Sequence, residues 1–104
     1  MPVLSQVDSP ADGPWGEEMS QAYDGLAQSI AAETGLIWKI WTENRQENRA
    51  GGVYLFDTDE HALAYLAMHT ERLAGFGITG VRGILFDVNE PLTATTFGQL
   101  GRSV

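Results

Sequence analysis

Apolar residues fall in this chain in two patterns. Short β-branched and aromatic runs read as strands, and longer segments whose apolar residues return every three or four positions read as helices. Residues 3–8 (VLSQVD) predict a short strand. Ser9-Pro10-Ala11-Asp12-Gly13-Pro14 follows as turn chemistry, because two prolines and a glycine do not continue a ladder. From about Trp15 to Glu33, the residues Trp15, Met19, Ala22, Tyr23, Leu26 and Ile30 form one helical stripe. Glu17 and Glu18 fall in its first turn, where the helix dipole favours anions. Gly25 weakens its middle by roughly 1 kcal/mol relative to Ala. Gly35 is a C-terminal stop. Residues 35–44 (GLIWKIWTEN) are β-branched and aromatic and predict a second strand. After the polar loop Arg45–Arg49, Ala50–Phe56 predicts a third, and the short connection implies an antiparallel hairpin. Asp57 and Glu60 have capping-box spacing and introduce a helix that runs to about Leu73. Its stripe is Ala62, Leu63, Leu66, Thr70 and Leu73, and Gly75 and Gly77 end it. Ile78–Val88 predicts the last strand, which Asn89-Glu90-Pro91 breaks before a polar tail of weak pattern.

The resulting order, β-α-β-β-α-β, is the α+β ferredoxin-like arrangement: a four-stranded antiparallel sheet with two helices on one face. One domain is expected over 1–104, with a core over about 3–92 and a tail over 93–104.

Both faces of that sheet are apolar. In the second strand Leu36, Trp38 and Ile40 oppose Ile37, Lys39 and Trp41; in the third, Val53 and Leu55 oppose Tyr54 and Phe56. In the last strand Ile78, Ile84, Phe86 and Val88 oppose Val81 and Leu85. Two helices cover one face only. Large aromatics bury about 150–250 Å² each, and three of them match or exceed the roughly 300–600 Å² patch usual on a monomer. A homodimer packed sheet on sheet is the expected cover; the competing cover is the chain's own tail, through Phe97 and Leu100.

Composition narrows the field. The 104 residues include ten aromatics, three of them Trp, and no Cys. Disulfides, thiolate metal sites and Cys nucleophiles are excluded. A net charge of −8 argues against nucleic acid and anionic membrane as partners. No apolar run approaches the roughly 20 residues of a membrane span. The opening residues MPVLSQVDSP lack the basic region and apolar stretch of a signal peptide, so a cytoplasmic protein is expected. There is no phosphate-binding glycine loop, no Gly-x-Ser-x-Gly elbow and no His/carboxylate cluster at metal-ligand spacing.

His69 is the first candidate for chemistry. It lies at the edge of the apolar stripe, within three or four residues of Tyr65 and Arg72. Two readings stand for it: an acid or base near neutral pH, or a hydrogen-bonded structural histidine. His61 is about 80° away around the helix, so the two are not a metal-ligand pair. Trp38 and Trp41 fall on opposite faces, one toward the helices and one toward the dimer partner, and the pattern leaves open which. The helix-side one, with Tyr54 and Phe86, can wall a pocket for a flat aromatic ligand or simply pack the core. Lys39 is the only lysine. It can bind an anionic group or stabilise an enolate, but it reads more simply as a side chain that reaches water along apolar neighbours. Arg72 and Arg82 read as surface or ion-pair residues ahead of substrate clamps.

GLIWKIWTE (35–43), AGGVYLF (50–56), ALAYLAMHTERL (62–73), FDVNEPL (86–92) and GPWG (13–16) together resemble the YdhR-like mono-oxygenase family of the dimeric α+β barrel superfamily. The resemblance implies a ferredoxin-like protomer and a barrel formed by two sheets across a homodimer. It implies an oxygenase of small aromatic or quinone-like compounds that needs no protein-bound cofactor or metal. His69 would be its base, Trp38, Trp41, Tyr54 and Phe86 its apolar wall, and Tyr65 and Arg72 its neighbouring polar contacts. An isomerase or lyase on the same fold, and a non-catalytic ligand-binding dimer, are the alternatives. The first strand departs from the family's apolar and aromatic pattern: it reads Ser5, Gln6, Val7, Asp8, Ser9, Pro10. It should end near Asp8 or be distorted, since Pro has no place within a central ladder.

Overall fold

A computed structural model describes residues 2–102. Four strands form one antiparallel sheet: β1 (Val3–Pro10), β2 (Leu36–Asn44), β3 (Arg49–Phe56) and β4 (Arg82–Asp87), in the spatial order β2-β3-β1-β4. That order is the ferredoxin-like one. The helices are α1 (Gly16–Ala22), α2 (Asp24–Ala31), α3 (Asp59–Gly75) and α4 (Glu90–Thr95).

β1 runs on to Pro10, past the expected end at Asp8. β4 pairs only as far as Asp8, opposite Arg82, so Ser9 and Pro10 pair with β3 alone. On the β4 side no ladder donor is required, and a residue without an N–H is accommodated there. For the same reason β4 begins at Arg82, later than Ile78; Gly80, with φ +74°, lies against the Pro10 ring and leads the chain past it.

The single helix expected over 15–33 is two. The backbone leaves helical geometry at Tyr23 (φ −107°, ψ 12°), although the Ala27 amide still donates to the Tyr23 carbonyl. The Tyr23 ring stacks on Trp41 at 6.4 Å, so tertiary contact competes with helical continuity just before the weak Gly25 position. The cap of α3 lies one residue later than expected. Thr58 accepts from the His61 amide, while Asp57 binds the His61 ring at 2.7 Å. The residues read as a breaker begin α4: Asn89 accepts from the Leu92 amide, and Pro91 sits in the first turn, where its missing N–H costs nothing.

One irregularity rearranges the faces of the sheet. Leu36 pairs with Phe56, but Trp38 pairs with the next residue, Leu55, so β2 carries a bulge at Ile37. The extra residue inverts the alternation. Leu36 therefore shares the helix-side face with Lys39 and Trp41, and Trp38 and Ile40 take the opposite one; the expected grouping of Leu36 with Trp38 does not hold. The core lies between sheet and helices, around Val3, Val7, Ile30, Leu36, Tyr54, Phe56, Ala62 and Tyr65.

The other face is partly covered by the chain's own end. The Trp38 indole donates to the Gln99 carbonyl at 3.0 Å, and Arg102 donates to the carbonyls of Leu36 and Ile37 at the bulge. Phe97 does not contribute to this cover, being 87% exposed. Ile40, Ile84 and Phe86 remain on the face at 57%, 52% and 45% exposure.

Candidate functional site

A cavity of about 810 Å³ opens between the helix-side face and the helices, within the range of small-ligand sites. Val7, Ser9, Lys39, Trp41 and Tyr54 line it from the sheet; Met19, Tyr23 and Leu26 from α1 and α2; His69, Arg72 and Leu73 from α3. The unusual first strand helps to make the space, since the helix-side position it presents to the cavity beside Val7 is the small, buried Ser9.

α3 places three functional side chains on one line. Tyr65, His69 and Arg72 are spaced by four and three residues, so they stand one above the next. The Tyr65 and His69 rings stack at 5.1 Å. Arg72 Nη2 donates to His69 Nδ1 at 2.8 Å and to the Tyr65 hydroxyl at 3.4 Å. The Tyr65 and Tyr54 hydroxyls meet at 3.3 Å, which joins α3 to β3. Tyr65 thus stands behind the cavity wall and holds Tyr54 and Arg72 in place.

His69 is 5% exposed. Burial, then the charges of Arg72 and Lys39, lower its pKa to about 4, so the ring is neutral at pH 7. A guanidinium can only donate, so Nδ1 is the acceptor and the ring proton resides on Nε2. His69 therefore turns an N–H, and no free lone pair, away from Arg72.

Lys39 lies within the cavity, where the sequence favoured a side chain reaching out to water. Its Nζ stands 3.4 Å from the Trp41 ring centroid and 4.6 Å from that of Tyr54. Room for it comes from Gly52, on which a Cβ would strike the end of the lysine chain. Burial, with the Arg72 charge second, lowers its pKa to about 7. Burial and the Tyr65 hydroxyl raise the pKa of Tyr54, and burial raises that of Tyr65, so both phenols stay protonated. The signal for Lys39 was its place beside Trp41 on one face; the helix-side direction came only from pairing with Tyr54 and Gly52.

Trp41, Tyr54, His69 and Arg72 come together around this cavity. Two expected wall residues do not join them. Phe86 pairs with Leu4 on the far face of the sheet. Trp38 occupies that face too; it meets Lys39 and Trp41 only at a second, smaller hollow of about 220 Å³ beside the edge strand β2, lined also by Ile30, Leu36 and Arg102. The sequence pattern leaves open which of Trp38 and Trp41 faces the helices, and pairing settles it for Trp41; Phe86 is excluded by its pairing with Leu4. Arg82 binds Asp8, which also pairs with Arg49, away from the cavity's cations. Among the described residues no three His, Asp or Glu side chains come together as a metal site, and no helix is long and apolar enough to cross a membrane.

The geometry defines a class: a ferredoxin-like α+β protein with an aromatic cavity on the helix side of its sheet. The chain belongs to the family described as "Putative mono-oxygenase ydhR", which matches residues 4–99. Among solved structures it is similar to a point mutant of SnoaB, a cofactor-independent oxygenase from Streptomyces nogalater. The TM-score is 0.57 at 14% identity, over 85% of this chain and 93% of that one. That likeness is one of fold. No curated protein matches the chain.

Proposed function

We propose that the protein is a cofactor-independent mono-oxygenase of small aromatic or quinone-like compounds, phenols above all. The observation that carries this reading is the placement of Lys39, His69 and Arg72 around one cavity walled by Trp41 and Tyr54. A flat phenol fits against the aromatic wall. The Lys39 amine, its pKa lowered to about 7 by burial and then by the Arg72 charge, accepts the phenolic proton. His69 does not, because Arg72 occupies its one lone pair; its Nε2–H and the Arg72 guanidinium stabilise the phenolate instead. The electron-rich anion passes one electron to O₂, and the radical pair recombines to form a C–O bond. Loss of water from the resulting hydroperoxide leaves a quinone. The sum is phenol plus O₂ to quinone plus water: the substrate supplies four electrons, and each product keeps one oxygen atom of O₂. Membership of a family named for mono-oxygenation supports the reading.

The test is O₂ uptake with 1-naphthol and substituted phenols, read beside quinone absorbance and ¹⁸O incorporation. Uptake equal to quinone formed, with one labelled atom in the product, is expected. No uptake above buffer overturns the proposal, and conversion of the compounds without O₂ moves the protein to an isomerase or lyase.

We also propose that the protein works as a cytoplasmic homodimer, packed through the sheet face that carries Ile40, Ile84 and Phe86. Their combined exposure supports it, since apolar groups gathered on one face are costly to leave in water.

A further inference from the structure

Three residues of the cavity wall, Lys39, His69 and Arg72, each carry a nitrogen donor without a protein acceptor among the described residues. Both Arg72 hydrogen bonds use Nη2, so Nη1 makes none among the described residues. His69 Nε2 and Lys39 Nζ likewise make none, and no carboxylate among the described residues lies within ion-pair distance of Lys39 or Arg72. None of the three is sealed off: among the described residues the one enclosed side-chain atom without a partner is Arg72 Nε. The cavity's own acids are committed or remote. Asp8 is shared by Arg49 and Arg82, and Asp12 is exposed at the mouth. Glu33 does not line the cavity, and the Tyr54 and Tyr65 phenols are neutral. In a chain of net charge −8, a guanidinium without a counter-ion in a cavity it shares with an unpaired lysine is an arrangement that burial disfavours unless something compensates it.

We infer that the cavity takes aromatic carboxylates, with the ligand's carboxylate held between Arg72 Nη1 and His69 Nε2–H. Arg72 supplies the charge, His69 a directed neutral donor, and the ring lies against Trp41 and Tyr54. Lys39 remains free to face a second, hydroxyl oxygen on the same ring. On such a ligand the Arg72 and His69 donors, which would meet the phenolate of a simple phenol, take the carboxylate, and Lys39 alone meets the phenolic oxygen. Only this last assignment rests on the oxygenase reading, making hydroxyaryl carboxylates the substrate class; the carboxylate site stands on the unpaired donors alone. Arg72 is the specificity-determining residue of the pair, because its guanidinium provides the formal charge that an uncharged isostere of the ligand does not need.

Calorimetric titration with 2-naphthoate and 2-naphthamide tests this without any turnover. Naphthoate is expected to bind at least tenfold more tightly than the amide. Arg72→Gln should bring the ratio close to one, and Arg72→Lys should restore part of it. Raising NaCl from 0.05 M to 0.5 M should weaken naphthoate and leave the amide unchanged. Equal affinities in the wild-type protein, or no naphthoate binding at millimolar concentration, overturn the inference; if Arg72→Gln does not fold, the wild-type ratio decides alone. O₂ uptake plays no part in these measurements. A protein that prefers naphthoate but consumes no O₂ with hydroxynaphthoates keeps this site and loses the oxygenase reading, and the reverse result does the opposite.

Discussion

Arg72 donates to Nδ1 of His69 across 2.8 Å from one turn further along α3. Burial opposes protonation of the ring, and the fixed positive charge beside that nitrogen opposes it further. NMR titration of the ring protons should find no His69 midpoint above pH 5.5, and Arg72→Gln should move it up toward the ordinary value near 6.5. The depressed pKa also couples to stability. The unfolded chain binds a proton through pH 6.5 that the native state refuses until about 4, so His69 lowers stability as pH falls across that interval. A wild-type midpoint close to 6.5 contradicts the pairing.

His69→Ala should lower turnover with a phenol that wild type oxidises by roughly ten- to a hundredfold, the worth of one hydrogen bond to a developing charge. Its circular dichroism should be unchanged. A variant that folds and turns over at the wild-type rate takes His69 out of the mechanism.

Lys39→Met should stabilise the protein at pH 7. With a native pKa of about 7 against an ordinary 10.5, the unfolded lysine binds the proton that the native one releases. Wild-type stability therefore rises with pH between 7 and 10.5, by at most about 1.4 kcal/mol per pH unit for this one proton. Urea midpoints at pH 7 and pH 9 should show a slope in wild type that the Met variant lacks. Parallel slopes would mean that Lys39 titrates as an exposed lysine does.

Gly52→Ala should displace the amine without unfolding the sheet. The added methyl meets the flexible end of Lys39 first, with the Ile40 carbonyl oxygen at 3.1 Å behind it. The expected result is a melting temperature within a few degrees of wild type, together with a loss of phenol turnover comparable to that of Lys39→Met. Full activity would show that the amine's position does not matter.

Phe86→Asp should turn a homodimer into a monomer. Sedimentation of the wild type should give twice 11.3 kDa, and the variant 11.3 kDa, because a carboxylate in an apolar interface is left without a partner. A wild-type protein that sediments at 11.3 kDa at micromolar concentration disposes of the sheet-on-sheet dimer.

The order of strands and helices was legible because it rests on period, and period is local. The apolar, aromatic run in Ala50–Phe56 and the three- and four-residue steps after Asp57 need no partner to be read. The same holds for Tyr65, His69 and Arg72: helical spacing alone sets them on one line. What tertiary structure decided was direction. Leu36, Ile37 and Trp38 are all apolar, so no break in pattern marks the bulge that sends Trp38 away from Leu36. Pairing with Tyr54 and Gly52 turns Lys39 and Trp41 toward the helices, and Phe86 toward the far face follows from pairing with Leu4. Pro91 looked like the end of order, yet a helix start accepts a residue without an N–H as readily as a loop does. The chain by itself determined the four strands and the helical segments between them, but not the break at Tyr23 or the short helix from Glu90. Which side each strand turns inward depends on register between strands distant in sequence, and a one-residue shift there moves every side chain to the other face.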